Sequence, residues 1–340
     1  MRADFFDSFG PFDGIKRDCW EGGERVPTLA RWPGHIPQGR VVTQPSISYD
    51  WLRTFAEVAG VPAPARADGI SLLSDLTGRG QAAGGNYVYV EYFEQGRTPD
   101  YSVFAASHRN RKRGQMQLVR TGSYAGVRYN IQAAADPFEI YDVSVDPKET
   151  NNLAPSNPTL EQQMQALVLQ ARRANSSAPR PYDLELVPAE VASATSEGLE
   201  WQAFEGPFPW VPDFELLSSV AQGVAAVPDL AKLTHKDNID LFFKGYIEAP
   251  RDGDYTFYLR ADTGAVLRIH DARVIDADFG YPAGEERSGS IRLQAGLHPF
   301  RLYYAHGLKG IPDLSVAWSG PQIPKGPIPS TLFRHKSGGR

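Results

Sequence analysis

The chain has 340 residues, is 41% hydrophobic and carries a net charge of -5 with acids and bases interspersed. That length allows two or three domains with ordinary cores, and the charge balance excludes a generic nucleic-acid surface. A single cysteine, Cys19, excludes an internal disulfide, and the absence of any run of about 18 apolar residues excludes a transmembrane helix in this sequence.

Taken in chain order, residues 1–7 lack the apolar stretch of a signal peptide. Residues 26–32 form a short apolar run closed by Pro33-Gly34, which predicts a buried strand and a turn. Tyr49, Leu52, Phe55, Ala56 and Ala59 keep helical spacing, with Ser46 or Ser48 as cap, Gly60 as stop and Pro62 beyond. Residues 87–93, 115–120, 127–131 and 138–142 predict strands separated by glycine-containing turns. The basic cluster at residues 109–113 reads as a solvated hairpin tip. Thr159 and Gln162 have capping-box spacing, and Leu160, Met164, Leu167, Val168 and Ala171 form one helical stripe that packs on the small sheet. Residues 175–199, rich in Ala, Ser, Pro and Glu, predict a linker. Beyond it the pattern alternates, as in Tyr255, Phe257, Leu259 and in Phe300, Leu302, Tyr304, with recurrent turn signals that predict a sandwich or barrel. Tyr255, Phe257, Tyr304 and Trp318 read as core residues first and sugar platforms second.

The densest chemistry lies near the start. Lys16 sits in a glycine-flanked polar stretch, Gly10-Pro11-Phe12-Asp13-Gly14-Ile15-Lys16, followed by Glu21-Gly22-Gly23, Arg25-Val26-Pro27 and Arg31-Trp32-Pro33-Gly34. A lysine ammonium is a compact charge suited to one sulfate ester and to a leaving oxygen, although most lysines are simply solvated. This run resembles the segment of the sulfatase family that brings a substrate-binding lysine to the active site. Gln44-Pro45 to Gly60, Asp68-Gly69-Ile70-Ser71-Leu72, Ile140-Tyr141-Asp142, Asp146-Pro147-Lys148-Glu149 and Asn151-Asn152-Leu153-Ala154 extend the resemblance to about residue 175. It implies Lys16 as the sulfate contact, Arg17 as a second substrate-binding candidate, and a structural role for the Asp-Pro-x-Glu stretch.

The same resemblance implies parts that these residues do not supply. The family's nucleophile is a formylglycine made in Cys/Ser-x-Pro-x-Arg, and Cys19 is followed by Trp20-Glu21-Gly22-Gly23 instead. Cys19 therefore reads as a buried structural thiol. The family's calcium takes paired aspartates and an Asp-Asn pair; Asp4, Asp7 and Asp13 lack that pattern and read as solvated loop acids. His35 and His108 read as isolated, and Glu91 and Glu94 as pointing to opposite faces of a strand. The chain is thus expected to open partway through the family's fold, to need an upstream half, and to be inactive alone.

Phe243-Lys244-Gly245-Tyr246-Ile247, Gly253-Asp254-Tyr255, Asp262-Thr263-Gly264, Ala295-Gly296-Leu297-His298-Pro299 and Trp318-Ser319-Gly320-Pro321 lie within residues 198–335. Through them this region resembles the protective-antigen-type β-sandwich attached to glycan-processing enzymes and adhesins. Some members bind calcium and a sugar at an Asp-Asp-Gly; here the second acid is Thr263, which argues against calcium at Asp262. Asp262, Asp276, Asp278 and Tyr281 are the candidate glycan-binding residues.

The expected architecture is an α/β region at 1–80, an α+β subdomain at 81–178, a linker at 179–197 and an all-β sandwich at 198–340. The expected function is the C-terminal part of a sulfuric ester hydrolase acting on a sulfated glycan or aryl sulfate, in the periplasm or outside the cell. The alternative is a non-catalytic protein that binds glycan or protein through the sandwich.

Overall fold

The computed structural model describes residues 3–80, 87–192, 194–231, 239–307 and 311–337. The chain divides into two compact units: Met1–Thr54 with Gly69–Val168 and Asn175–Asp183, and Phe55–Asp68 with Leu169–Ala174 and Leu184–Arg340. Among the described residues no helix is long and apolar enough to cross a membrane.

The first unit begins with short helices, α1 (Glu21–Glu24), α2 (Asp50–Val58, running past the division) and α3 (Leu73–Thr77). Antiparallel strands β1 (Tyr87–Arg97), β2 (Lys112–Thr121), β3 (Tyr124–Arg128) and β4 (Glu139–Asp142) then form one sheet in sequence order. Helix α4 (Pro158–Ala171) places Met164 and Val168 in the core, and the sheet makes room for it. A Cβ at Gly126 of β3 would lie 2.3 Å from the Met164 sulfur.

Two local expectations are corrected. The apolar run at 26–32 forms no strand. No ladder partner reaches it, Pro27 and Pro33 interrupt its donors, and Val26 and Leu29 are 76% and 97% exposed. Helix α4 starts at Pro158 rather than at a Thr159 cap; Asn157 Oδ1 accepts the Leu160 N–H at 3.3 Å, and proline at the first helical position gives up no hydrogen bond. The helix at 50–58 does form and stops at Gly60 in the left-handed region (φ 69), but Leu52 and Phe55 of its stripe are exposed. What holds its start is polar. Buried Asp50 accepts the Ile47 N–H and the Ile70 N–H, both at 2.9 Å. The Asp-Gly turn closes so tightly there that a Cβ on Gly69 (φ 86) would lie 2.4 Å from Asp50 Oδ1.

The second unit is a two-sheet sandwich. Its strands are β5 (Thr195–Glu197), β6 (Leu199–Glu205), β7 (Ala221–Ala225), β8 (Ile239–Ala249), β9 (Gly253–Ala261), β10 (Gly264–Ile269), β11 (Ala272–Ala277), β12 (Arg287–Leu293), β13 (Gly296–Ala305), β14 (Leu314–Gly320), β15 (Ile323–Pro327) and β16 (Phe333–Lys336). One sheet runs β11-β10-β13-β8-β16-β5, with β6 paired to β8 and β7 paired to β6; the other runs β12-β9-β14-β15. Alternate residues meet between the sheets, as two packed faces require. Tyr255, Phe257, Leu259, Phe300, Leu302, Tyr304 and Trp318 are all buried there, with Tyr255 stacked on Trp318 at 5.2 Å.

The larger sheet buries part of its other face too. Val266, Phe242 and Tyr303 pack there with Ala65, Phe204, Val211 and Phe214. This second cluster explains why Phe55–Asp68 groups with the sandwich and not with 1–80. Buried Arg268 donates to the Ala65 carbonyl at 3.1 Å and to Asp68 Oδ1 at 2.9 Å. Nor does the stretch at 179–197 run free: Tyr182 is buried in the first unit, while Val187 and Glu190 bridge to Leu293 and Leu297 in the second. Residues 81–86, at the expected boundary between the first two regions, lie outside the described residues.

Candidate functional site

The loop from Asp13 to Asp18 is clamped by a buried acid at each end. Asp13 Oδ2 accepts the Ala105 N–H at 2.7 Å and the His108 Nδ1–H at 2.9 Å, and Lys148 Nζ stands 3.8 Å from Oδ1. Asp18 Oδ1 accepts from Thr98 Oγ1 at 2.7 Å and from Arg113 Nε at 2.8 Å, while Oδ2 accepts the Ile15 N–H at 3.0 Å. Both carboxylates are fully buried. Between them Lys16 and Arg17 are exposed; Arg17 takes a positive φ of 85° and lies 3.8 Å from Glu94. A rigid base therefore presents a cationic tip.

Helix α1 roofs this loop, and the Gly-Gly pair is what allows it. A Cβ on Gly23 would lie 2.1 Å from the Asp18 carbonyl oxygen, and one on Gly22 would lie 2.6 Å from that of Asp13. Backbone oxygens cannot turn aside as a flexible side chain can. Gly23→Ala is therefore expected to shift the loop and to cost about 1–3 kcal/mol in chemical denaturation; an unchanged midpoint would contradict this packing. The helix start is held by Glu149 of the Asp-Pro-x-Glu stretch, whose Oε2 accepts the Glu21 N–H at 2.8 Å. Burial pushes the Glu149 carboxyl well up. Glu149 thus closes a turn, in line with the structural role expected of that stretch.

Three sequence readings change here. Asp13 is no solvated loop acid, because His108 and the Ala105 amide enclose it. His108 is not isolated: it pairs with Asp13 and stacks on Trp20 at 4.1 Å. The basic cluster at 109–113 is no solvated tip, since Arg113 is buried against Asp18 and Arg111 pairs with Glu139. Cys19 is buried as expected, and burial raises its thiol well above the ordinary range. Its amide and that of Trp20 donate to the Tyr129 hydroxyl. His35 stacks on Trp32 at 3.8 Å, and Glu91 holds the Tyr182 hydroxyl at 2.7 Å. The signal for the clamp was present as a charge pattern, acids at 13 and 18 against His108 and Arg113, but one sequence does not reveal which distant charges pair.

In the sandwich unit, Asp262 and Tyr281 meet at the end of β9. Asp262 Oδ1 accepts from the Tyr304 hydroxyl at 2.5 Å and the Asp313 N–H at 3.1 Å; Oδ2 accepts from His306 Nδ1 at 2.6 Å and Thr263 Oγ1 at 2.9 Å. Burial raises this carboxyl, but those hydrogen bonds more than offset it, so Asp262 lies below the usual carboxylate range. Asp276 pairs with Arg66 at 3.1 Å and lies 3.6 Å from Arg273. Asp278 is half-buried, accepts the Val211 N–H at 3.2 Å, and is raised by burial. The Tyr281 hydroxyl accepts the Ala261 N–H at 3.1 Å and donates to the Glu285 carbonyl, so its polar end is spent on the loop. The structure places Asp262, Asp278 and Tyr281 on loops and Asp276 near the end of β11, and turns most of their polar atoms inward. Phe279 and Ile311, which sequence reasoning passed over, are 79% and 85% exposed.

Among the described residues no group of three or more His, Cys, Asp or Glu side chains could hold a metal ion. The four donors on Asp262 also fill a carboxylate's lone-pair sites. The residues at Asp262 therefore do not fit a calcium ion.

Residues 8–174 match the family described as N-sulphoglucosamine sulphohydrolase, C-terminal, and residues 196–331 match the PA14 domain. The first stretch is similar to human steryl-sulfatase, 29% identical over 167 residues, covering 44% of this chain and 27% of that protein. Human arylsulfatase A is 34% identical over 145 residues, covering 41% and 28%. The N-acetylglucosamine-6-O-sulfatase of Bacteroides thetaiotaomicron is 28% identical over 151 residues, covering 44% and 24%. The chain spans about a quarter of the length of these relatives. Among solved structures, the PA14 domain of the MpAFP antifreeze protein is 16% identical, with a TM-score of 0.35 over 43% of this chain and 94% of that one. The Epithelial Adhesin 9 A domain from Candida glabrata, in complex with Galb1-4GlcNAc, is 14% identical, with a TM-score of 0.33 over 44% and 93%.

Proposed function

We propose, for a chain whose residues 8–174 belong to the sulfatase C-terminal family and whose residues 196–331 are a PA14 domain, that the first unit supplies the sulfate-contacting lysine of a sulfuric ester hydrolase and the second holds a glycan. The observation that carries this is the clamped loop. Lys16 is exposed on a segment whose two flanking acids are fully buried and hydrogen-bonded. A point charge on a fixed base binds a sulfate ester without first ordering its own backbone. Near the leaving oxygen the same ammonium would stabilise developing negative charge. Arg17 would add a second, weaker contact, since Glu94 competes for it.

The remaining chemistry is not assigned to these residues. No Cys/Ser-x-Pro-x-Arg occurs in the sequence, so the nucleophile and metal would come from elsewhere in the working enzyme. Sulfated glycan is the proposed substrate class, because a glycan-holding module tethered in the same chain as a sulfate contact raises the local concentration of both ends of one ligand. A site of action in the periplasm or outside the cell belongs to the same reading.

Calorimetric titration of the purified chain with 4-nitrophenyl sulfate tests it. Binding without turnover is expected, and Lys16→Ala should weaken binding about 10-fold or more, the worth of one charge-assisted contact. Affinity indifferent to that substitution would remove Lys16 from the role, and turnover by this chain alone would overturn the division of labour. A second reading, a non-catalytic glycan- or protein-binding protein, rests on the PA14 match at residues 196–331 alone. It predicts sugar binding that ignores both sulfation and Lys16.

A further inference from the structure

Some members of the family that the sandwich resembles bind calcium where Asp262 stands; here the residues around Asp262 do not fit that ion, in a specific way. Asp262 is fully engaged by side chains and backbone of its own loops. Thr263, which stands where a second acid would supply oxygen, donates its hydroxyl to Oδ2 at 2.9 Å. His306, at the end of β13, donates Nδ1–H to the same oxygen at 2.6 Å. Tyr304 and the Asp313 amide fill Oδ1. A carboxylate has about four lone-pair sites, and four donors occupy them.

The same groups stitch the surrounding backbone. The His306 N–H donates to Asp240 Oδ1 at 2.9 Å, and the Gly307 N–H donates to Thr263 Oγ1 at 2.9 Å. The Asp262 N–H donates in turn to the Asp313 carbonyl at 2.9 Å. The β9–β10 turn and the segment after β13 therefore meet at one carboxylate, and Asp240 at the start of β8 is tied to the cluster through the His306 backbone. That is the work a bound cation does in a loop cluster, done here by hydrogen-bond donors. His306 Nε2 is buried with no partner among the described residues. A single nitrogen falls far short of the six or more oxygens that calcium takes.

We propose that the Asp262 cluster is a metal-free organising centre, in which Thr263 and His306 stand in for the cation and hold the β9–β10 turn to the segment after β13. A ligand at this edge would then be held without a bridging metal, and its binding would resist chelators.

The test is thermal unfolding of the full chain in EDTA and in about 10 mM calcium, roughly tenfold above the weakest affinity of extracellular calcium modules. The wild type is expected to show the same Tm in both. His306→Ala should lower the transition of the sandwich unit by about 4–8 °C in both buffers, because it leaves a half-buried carboxylate short of a donor. Should that variant fail to fold, Thr263→Val removes one donor from the same oxygen and should lower Tm by a smaller amount, again in both buffers. A calcium-dependent rise in the wild type of about 2 °C or more, lost in Asp262→Asn, would overturn the proposal. So would a His306→Ala variant as stable as the wild type. Neither outcome bears on Lys16 or on sulfate binding.

Discussion

Arg113→Met should destabilise the first unit by about 3–5 kcal/mol, read as a lowered urea midpoint. Arg113 is only 6% exposed, and its Nε lies 2.8 Å from an oxygen of fully buried Asp18. Removing the guanidinium leaves that carboxylate with Thr98 and the Ile15 amide but without a countercharge. A buried charge stripped of its partner costs far more than the pair contributes when whole. Two controls separate this from lost packing. Arg113→Lys keeps the charge without the planar fork and should recover part of the loss. Asp18→Asn combined with Arg113→Met removes both charges and should recover more. A single substitution that costs under about 1 kcal/mol would mean that the pair is solvated in solution, and the rigid base proposed for Lys16 would go with it.

The second large effect is on pH dependence. His270 Nε2 and His298 Nδ1 are 2.9 Å apart, and His298 Nε2 donates to the Gln294 carbonyl at 2.8 Å. His298 Nδ1 is therefore the acceptor, and His270 carries its proton on Nε2. The groups around the pair are Glu190, 3.6 Å from His270 Nδ1, with Asp271 and Arg301 close by. Burial, then the neighbouring His298, pulls His270 from 6.5 down to about 3; burial lowers His298 as well. Below pH 6.5 the unfolded chain takes up a proton at this residue and the folded chain does not. Stability from His270 is thus complete above pH 6.5 and is lost as pH falls towards about 3, by about 3–5 kcal/mol in all.

Asp240 works in the opposite sense. Burial, with the Asp262 charge adding to it, raises Asp240 from 3.8 to about 7. The folded state then holds the extra proton between those values, so that contribution is present at low pH and is lost as pH rises through 7. The two nearly cancel over much of the acid range. The His270 effect is therefore read as a difference: His270→Asn should lose less stability than the wild type between pH 7 and pH 4. Imidazole NMR should show His270 neutral at pH 5. A His270 that titrates near 6.5 would sink this prediction.

Local pattern was legible where a single element reports on itself. The alternation at Tyr255, Phe257 and Leu259 and at Phe300, Leu302 and Tyr304 marked strands that do face one core. The four strands of the small sheet formed close to the expected residues, with boundaries moved by a few positions, as at Tyr124–Arg128 against 127–131. Less visible was a strand apolar on both sides. Leu241, Phe242 and Phe243 are consecutive because Leu241 and Phe243 face one cluster and Phe242 the other. The run at 26–32 misled for the opposite reason, since an apolar sequence becomes a strand only when a neighbour completes its ladder.

Lys16 could be singled out from its motif, and so could the glycines beside it. Their spacing already stated that backbone must approach backbone there, and the contact of Gly23 with the Asp18 carbonyl is that approach. Sequence alone also carried the resemblance of the first part to the sulfatase family and of the second to the protective-antigen-type sandwich. Only the tertiary structure decided which charges are spent. Asp13 and Asp18 looked like ordinary polar residues of a loop, yet they lie buried against His108 and Arg113; Asp262 looked like a ligand-facing acid, yet its own loops occupy it. The physical reason is common to all three. A carboxylate's chemistry is set by the donors that reach it, and His108, Arg113, Tyr304 and His306 reach these from 42 to 95 positions away in the chain.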